Sequence, residues 1–213
     1  MNTIYRLLAT MKILYFYVLA ACLVITTLST TVQAQQTQIQ RDPVQIYQSA
    51  QDLFLKSLYG SAREQFEYYL QHYPQHEFAV NAEYYVGLCA LYQGQPDAEE
   101  LIQEFILKHP EHPKTSDANL EMGSYYYNAK NYDNAIVYFD KVNWASLNSK
   151  KQLEGKFRIG YCYFTKKDFD KAITYFNASK LSDNRYQFAS RYYAAYIEFK
   201  KGLLDESLQD LNE

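Results

Sequence analysis

From Asp42 onward the apolar residues of this chain recur at helical spacing, and the helical stretches themselves recur. A small residue stands near the start of every second stretch, at Ala62, Ala98, Ala135, Ala172 and Ser207, with spacings of 36, 37, 37 and 35 residues. Four residues later a large apolar side chain follows each time: Phe66, Ile102, Phe139, Phe176 and Leu211. Twelve residues upstream of the small residue, or eleven in the second unit, stands another: Ala50, Gly87, Gly123, Gly160 and Ala195. Positions i and i+4 share one helix face, so Ala135 and Phe139 point into one seam. The pattern predicts helix-turn-helix units in which small residues let two helices approach and the large one fills the gap between hairpins. Turn signals fall between the two helices at a constant offset: Gly60, Gly94-Gln95-Pro96, Lys130-Asn131, Lys167-Asp168 and Gly202. Pro96 can open a helix, whose first turn has no need of that N–H, and Pro74 and Pro110 close the second helices of the first two units.

The expected fold is therefore all-α: about five helix-turn-helix repeats over residues 42–213, at about 43–76, 78–113, 115–148, 150–184 and 186–213. The fifth unit stops midway along its second helix, at Leu211-Asn212-Glu213. A stacked array leaves its last apolar face open unless a cap covers it, so the sequence predicts the first repeats of a longer solenoid.

The N-terminus follows a different pattern. Ile13 to Leu28 is an apolar-to-threonine run preceded by Lys12, and Val32-Gln33-Ala34 has the small-x-small form that signal peptidase accepts. Residues 1–34 read as a signal peptide, with translation starting at Met1 or Met11, and residues 35–41 as a polar linker. Two alternatives stand beside cleavage after Ala34. Leu19-Ala20-Ala21-Cys22 has the form of a lipobox, which would acylate Cys22 in a bacterium, and the run could remain as an uncleaved anchor. A membrane association is expected only in those two cases. The expected location is the periplasm or the outer-membrane periphery of a Gram-negative bacterium.

Two motifs carry a family resemblance. Gly123-x2-Tyr126…Tyr132-x2-Ala135-x3-Phe139 and Gly160-x2-Tyr163…Phe169-x2-Ala172-x3-Phe176 resemble the tetratricopeptide-repeat pattern. Pro74 and Pro110 occupy the place where such a unit typically ends, whereas Leu147 and Asn184 stand there in the third and fourth units. With the leader, the chain resembles periplasmic members that serve cell-envelope assembly. The resemblance implies a scaffold that binds partner proteins along the surface lined by the first helices. Taking the small residue of each first helix as reference, the positions three before, one after and four after it are expected to face that groove. The candidate binding residues are Tyr47, Phe54, Tyr84, Leu88, Leu91, Tyr127, Phe157, Tyr161, Phe164, Tyr192 and Tyr196. They make an aromatic trough without the Lys, Arg and Asn by which some members clamp a carboxylate. Tyrosine offers large contact area at modest entropic cost, but aromatics at helical spacing are also ordinary packing residues.

Composition agrees with long helices: 23 tyrosines stand against 7 glycines and 5 prolines. The formal net charge of −3 is the wrong sign for a nucleic-acid binder, which needs basic patches to meet phosphates. The acidic excess is concentrated before Pro113. His72, His76, His109 and His112 have spacings that superficially suit a metal, but each pair straddles a repeat-ending proline and no cysteine completes a set. Cys89 and Cys162 fall in equivalent slots two repeats apart, too distant for a bridge. Glu99-Glu100 and Lys150-Lys151 read as solvated helix faces. Neither a phosphate-binding glycine loop nor a nucleophile motif is present. The sequence thus predicts no enzyme, no cofactor and no metal. Other proteins or peptide segments are the expected partners. The alternative reading is a binding module or spacer for an activity beyond residue 213.

Overall fold

The computed structural model describes residues 42–181 and 184–212. The leader, the cleavage site after Ala34, Cys22, Met11 and the linker at 35–41 lie outside the described residues. Ten α-helices and one short 3-10 turn make up the described fold, with no strand among the described residues. They run α1 (Pro43–Leu55), α2 (Tyr59–His72), α3 (Ala79–Tyr92), α4 (Ala98–Lys108), α5 (Lys114–Asn128), α6 (Tyr132–Phe139), the 3-10 turn Trp144–Ser146, α7 (Ser149–Thr165), α8 (Phe169–Lys180), α9 (Gln187–Lys200) and α10 (Leu204–Asn212). Successive pairs form five hairpins, and each helix packs against the next in sequence. No helix among the described residues is long and apolar enough to cross a membrane.

All five hairpins turn by one device. The residues Ser57, Gly94, Lys130, Lys167 and Gly202 are left-handed, with φ between 59° and 79°. In every case the left-handed residue donates its N–H to the carbonyl three residues back, and the next residue donates to the carbonyl five back. Lys130 N reaches Tyr127 O at 3.0 Å and Asn131 N reaches Tyr126 O at 2.9 Å, for example. These two bonds satisfy carbonyls that the end of a helix leaves unpaired. Gly60, expected as the first turn, lies instead inside the first turn of α2. Ser57 takes the strained position there. Downstream of the turn, Asn131 and Asp168 cap α6 and α8 by accepting from Asn134 N and Lys171 N.

The small-to-large pairing expected from the sequence is the contact that sets the spacing of the helices. A Cβ at Gly87 would lie 2.8 Å from Cγ1 of Ile102, one at Gly123 2.6 Å from Cδ1 of Phe139, and one at Gly160 3.1 Å from Cε1 of Phe176. Ala62, Phe66, Ala135, Phe139, Ala172 and Phe176 are all fully buried. Cys89 and Cys162 are buried, unbridged thiols, each pushed up to about 12 first by burial. The third unit departs from its neighbours. Its second helix α6 is short, and the 3-10 turn after it lays Trp144 against Gly155, where a Cβ would lie 2.6 Å from both the indole Cζ3 and Leu120 Cδ1. Pattern reading missed both residues, because they fall outside the repeating register.

Candidate functional site

Four seams join neighbouring hairpins, and the same register positions line each of them. The column three residues before the small reference residue holds Tyr47, Tyr84, Leu120 and Phe157, and the column four after it holds Phe54, Leu91, Tyr127 and Phe164. Tyr47, Tyr84, Leu88 and Leu91 are buried, and Phe54, Tyr127, Phe157, Tyr161 and Phe164 are half-buried. In the last hairpin the same columns are open, with Tyr192 59% and Phe199 60% exposed, and Tyr196, one after the reference residue, is 39% exposed. The structure therefore brings the candidate residues together as neighbours within seams, and their exposure depends on whether another hairpin follows.

What fills a seam comes from the next hairpin, at the positions nine and two before its reference residue. In the first seam these are Phe78 and Tyr85. Phe78 stacks on Tyr47 at 4.7 Å with planes 20° apart, and Tyr85 stacks on Phe66 at 5.0 Å and 7°. The fourth seam repeats the arrangement. Tyr186 stacks on Phe157 at 4.8 Å and 22°, and Tyr193 stacks on Phe176 at 5.2 Å and 18°. The third partner is conserved in geometry too, since Phe54 meets Tyr85 and Phe164 meets Tyr193 edge-on or tilted, both at 4.9 Å.

The two middle seams lack the rings. Their filling positions hold Lys114 and Glu121 in α5 and Lys151 and Arg158 in α7. Lys114 Nζ lies 5.4 Å above the Tyr84 ring, where the first seam has a stacked phenylalanine. Arg158 sits 5.7 Å from the Tyr127 ring and bonds Glu154 at 2.5 Å. Lys151 Nζ reaches Asp117 at 2.5 Å, and Lys114 lies 3.7 Å from the same carboxylate.

Charged side chains do not plug the space as rings do, and an open cleft of about 720 Å³ results. It is lined solely from first helices and the cap of α7: Leu91 and Tyr92 of α3, Leu120, Glu121, Ser124, Tyr125 and Asn128 of α5, and Asn148, Lys150, Lys151, Glu154 and Arg158. Of the named candidates Leu91 borders it, together with Leu120 and Ser124 from the same three register columns. Its floor is apolar at Leu91 and Leu120, and its rim carries amides and charges of both signs. Glu121 accepts from the Tyr92 hydroxyl at 2.9 Å, and burial raises its carboxyl above the ordinary range. Tyr92 is raised in turn, first by its own burial and next by the Glu121 charge. Lys150 and Lys151, read from sequence as a solvated face, border the rim: Lys150 is exposed and Lys151 half-buried. The signal that could have revealed the cleft was the replacement of rings by charges at the filling positions of the two middle seams.

Two smaller hollows flank the first seam, one bordered by Phe54 with Gln51 and Leu55, the other by Tyr47 with Phe78 and Lys114. The histidines are engaged within the protein: Tyr69 Oη and His76 Nδ1 lie 2.5 Å apart, and His109 Nε2 and Glu83 Oε2 2.9 Å apart. No group of three potential metal ligands occurs among the described residues.

Comparison with known proteins adds the following. A family profile for the tetratricopeptide repeat matches residues 116–143 and 153–185. Among solved structures, MamA of AMB-1 is similar over 80% of this chain and 88% of its own, with 21% identity and a TM-score of 0.59. MamA of RS-1, as a double mutant, is similar over 80% and 92%, with 13% identity and a TM-score of 0.60. The TPR-like repeats of a kinesin light chain from Podosopora anserina cover 81% and 94%, with 15% identity and a TM-score of 0.56. At these identities the likeness is one of fold. No curated protein matches the sequence significantly.

Proposed function

Starting from a chain that is a tetratricopeptide-repeat protein, we propose that it is an exported scaffold that holds a segment of a partner protein in the cleft between α3, α5 and α7. The single observation behind this reading is that two seams carry stacked rings at their filling positions, whereas the two between them carry charged side chains there and border the cleft. A core selected only for stability would fill them all, because an unfilled space forfeits dispersion contacts and apolar burial. The apolar floor at Leu91 and Leu120 suits an apolar side chain. The amides of Asn128 and Asn148 and the ammonium of Lys150 suit the polar backbone that would carry it.

Crosslinking in the native cell tests this. A photo-crosslinker at Tyr125, on the cleft rim, is compared with one at Lys171, an exposed position on α8. Capture of one or two proteins from Tyr125 alone, abolished by a Ser124→Trp substitution that fills the cleft, supports the reading. Equal capture from both positions, or capture that survives Ser124→Trp, overturns it.

Export and a role at the cell envelope belong to the same proposal and rest on the apolar run before Ala34. Fractionation with N-terminal sequencing is the check. A mature chain beginning at Gln35 in the periplasm, or an acylated Cys22, supports export, and an intact cytosolic chain overturns it.

A further inference from the structure

The last hairpin presents large apolar side chains to solvent in two helical stripes. Tyr192 is 59% and Phe199 60% exposed on α9, and Leu204 and Leu211 are 55% and 59% exposed on α10. Tyr192 and Phe199 hold the register positions that form the near wall of every seam in the array, and Leu211 holds that of the buried Phe66, Ile102, Phe139 and Phe176. We propose that this face docks a helical hairpin whose first helix carries two aromatic residues seven positions apart.

The specification comes from the four seams already built. Where the near wall has aromatics at both columns, as Tyr47 with Phe54 and Phe157 with Phe164, the following helix and the residue that opens it supply rings seven apart, Phe78 with Tyr85 and Tyr186 with Tyr193. Where one column is leucine, as Tyr84 with Leu91 and Leu120 with Tyr127, the following helix supplies charged residues at both positions. The open face has Tyr192 and Phe199, so it is of the first kind. Residues seven apart on a helix return to nearly the same face, two turns on, which lets one helix set both rings against one wall. Burial of such stripes is the main favourable term in stacking hairpins.

A second copy of this chain does not meet the specification. The corresponding positions before Ala50 are Arg41 and Gln48, and the ring pairs of α3 and α9 are already stacked inside the array. The face therefore selects a hairpin of the same repeat type, bearing the ring pair, over self-association.

The test extends the full chain with a second copy of residues 179–212 after Glu213, which keeps the helical register because Leu211 corresponds to Phe176. A matched extension carries Lys and Glu at the counterparts of Tyr186 and Tyr193. Amide hydrogen exchange is followed in α9, α10 and the appended helices, with sedimentation to report the oligomeric state. The expected result is a monomer in which the ring-bearing extension slows exchange in α9 at least tenfold and is itself protected, while the Lys/Glu extension does neither. Equal protection by both extensions would overturn the ring specification. An unprotected ring-bearing extension, or an unextended chain that dimerises with α9 protected, would overturn the proposed occupant.

Discussion

Gly123 has no room for a side chain: a Cβ built on it would lie 2.6 Å from Cδ1 of Phe139 and within 3.0 Å of two further ring atoms. The equivalent contact in the next hairpin is looser, with Gly160 at 3.1 Å from both Phe176 Cε1 and Tyr175 Cβ. Alanine is favoured over glycine in a helix by roughly 1 kcal/mol, whereas overpacking a tight core costs about 1–3 kcal/mol. Gly123→Ala should therefore destabilise by roughly 1–2 kcal/mol, and Gly160→Ala should be close to neutral. Urea denaturation of the two variants checks the order, and adding Phe139→Leu should recover much of the Gly123→Ala loss.

The left-handed turns offer the opposite substitution. Lys130 and Lys167 hold φ of 59° and 62° where the second and fifth hairpins use glycine. A non-glycine residue in this conformation costs about 1–2 kcal/mol, partly offset by the greater freedom glycine has in the unfolded chain. Lys130→Gly and Lys167→Gly should each stabilise by ~0.5–1 kcal/mol. Ala at either position should show no such gain in thermal melting.

Lys180 reaches back from α8 to both carboxylate oxygens of Asp210 on α10, at 2.6 and 2.5 Å, and Asp210 is only 7% exposed. Removing one partner of a buried pair strands the other. Lys180→Met should lose about 3 kcal/mol, while Lys180→Met combined with Asp210→Leu should recover most of it. A double-mutant cycle by chemical denaturation measures the difference.

Beside that pair, Glu198 is buried, and burial first and the Asp210 charge next raise its carboxyl above the ordinary 4.5. A raised folded-state value means that the favourable contribution is complete below pH 4.5 and is lost as pH rises through the raised value. Glu198→Gln should therefore be more stable than the parent at neutral pH, with the gap closing as pH falls below the ordinary carboxylate range. A gap that stays constant with pH would assign the effect to packing and not to charge.

Filling the cleft provides a stability readout separate from binding. Arg158 holds the register position that Tyr193 holds one hairpin later, and it lies 5.7 Å from the Tyr127 ring where Tyr193 lies 4.9 Å from the Phe164 ring. Arg158→Tyr should raise the melting temperature or leave it unchanged, and should abolish capture from Tyr125. A clear loss of stability would show that Arg158, with Glu154, is itself a structural element of the seam.

The sequence by itself determined the repeat. The pairing of small with large residues, the period, and the seams at Ala62, Ala98, Ala135 and Ala172 follow from helical periodicity, because residues four apart share a face whatever lies beyond it. It also marked the turn regions to within a few residues, failing at Gly60 because a residue other than glycine can hold the left-handed position, at a cost, where two hydrogen bonds stabilise the turn, as at Ser57. Tertiary structure alone decided which aromatic residues stay exposed. Tyr84 and Tyr192 hold the same register position, yet one is buried and the other open, because burial depends on the hairpin packed against it. The cleft likewise arises between helices of different hairpins, where Glu121 and Arg158 replace rings. Local periodicity specifies the face on which a side chain sits, whereas the distance between hairpins and the side chains that meet across it are set by packing.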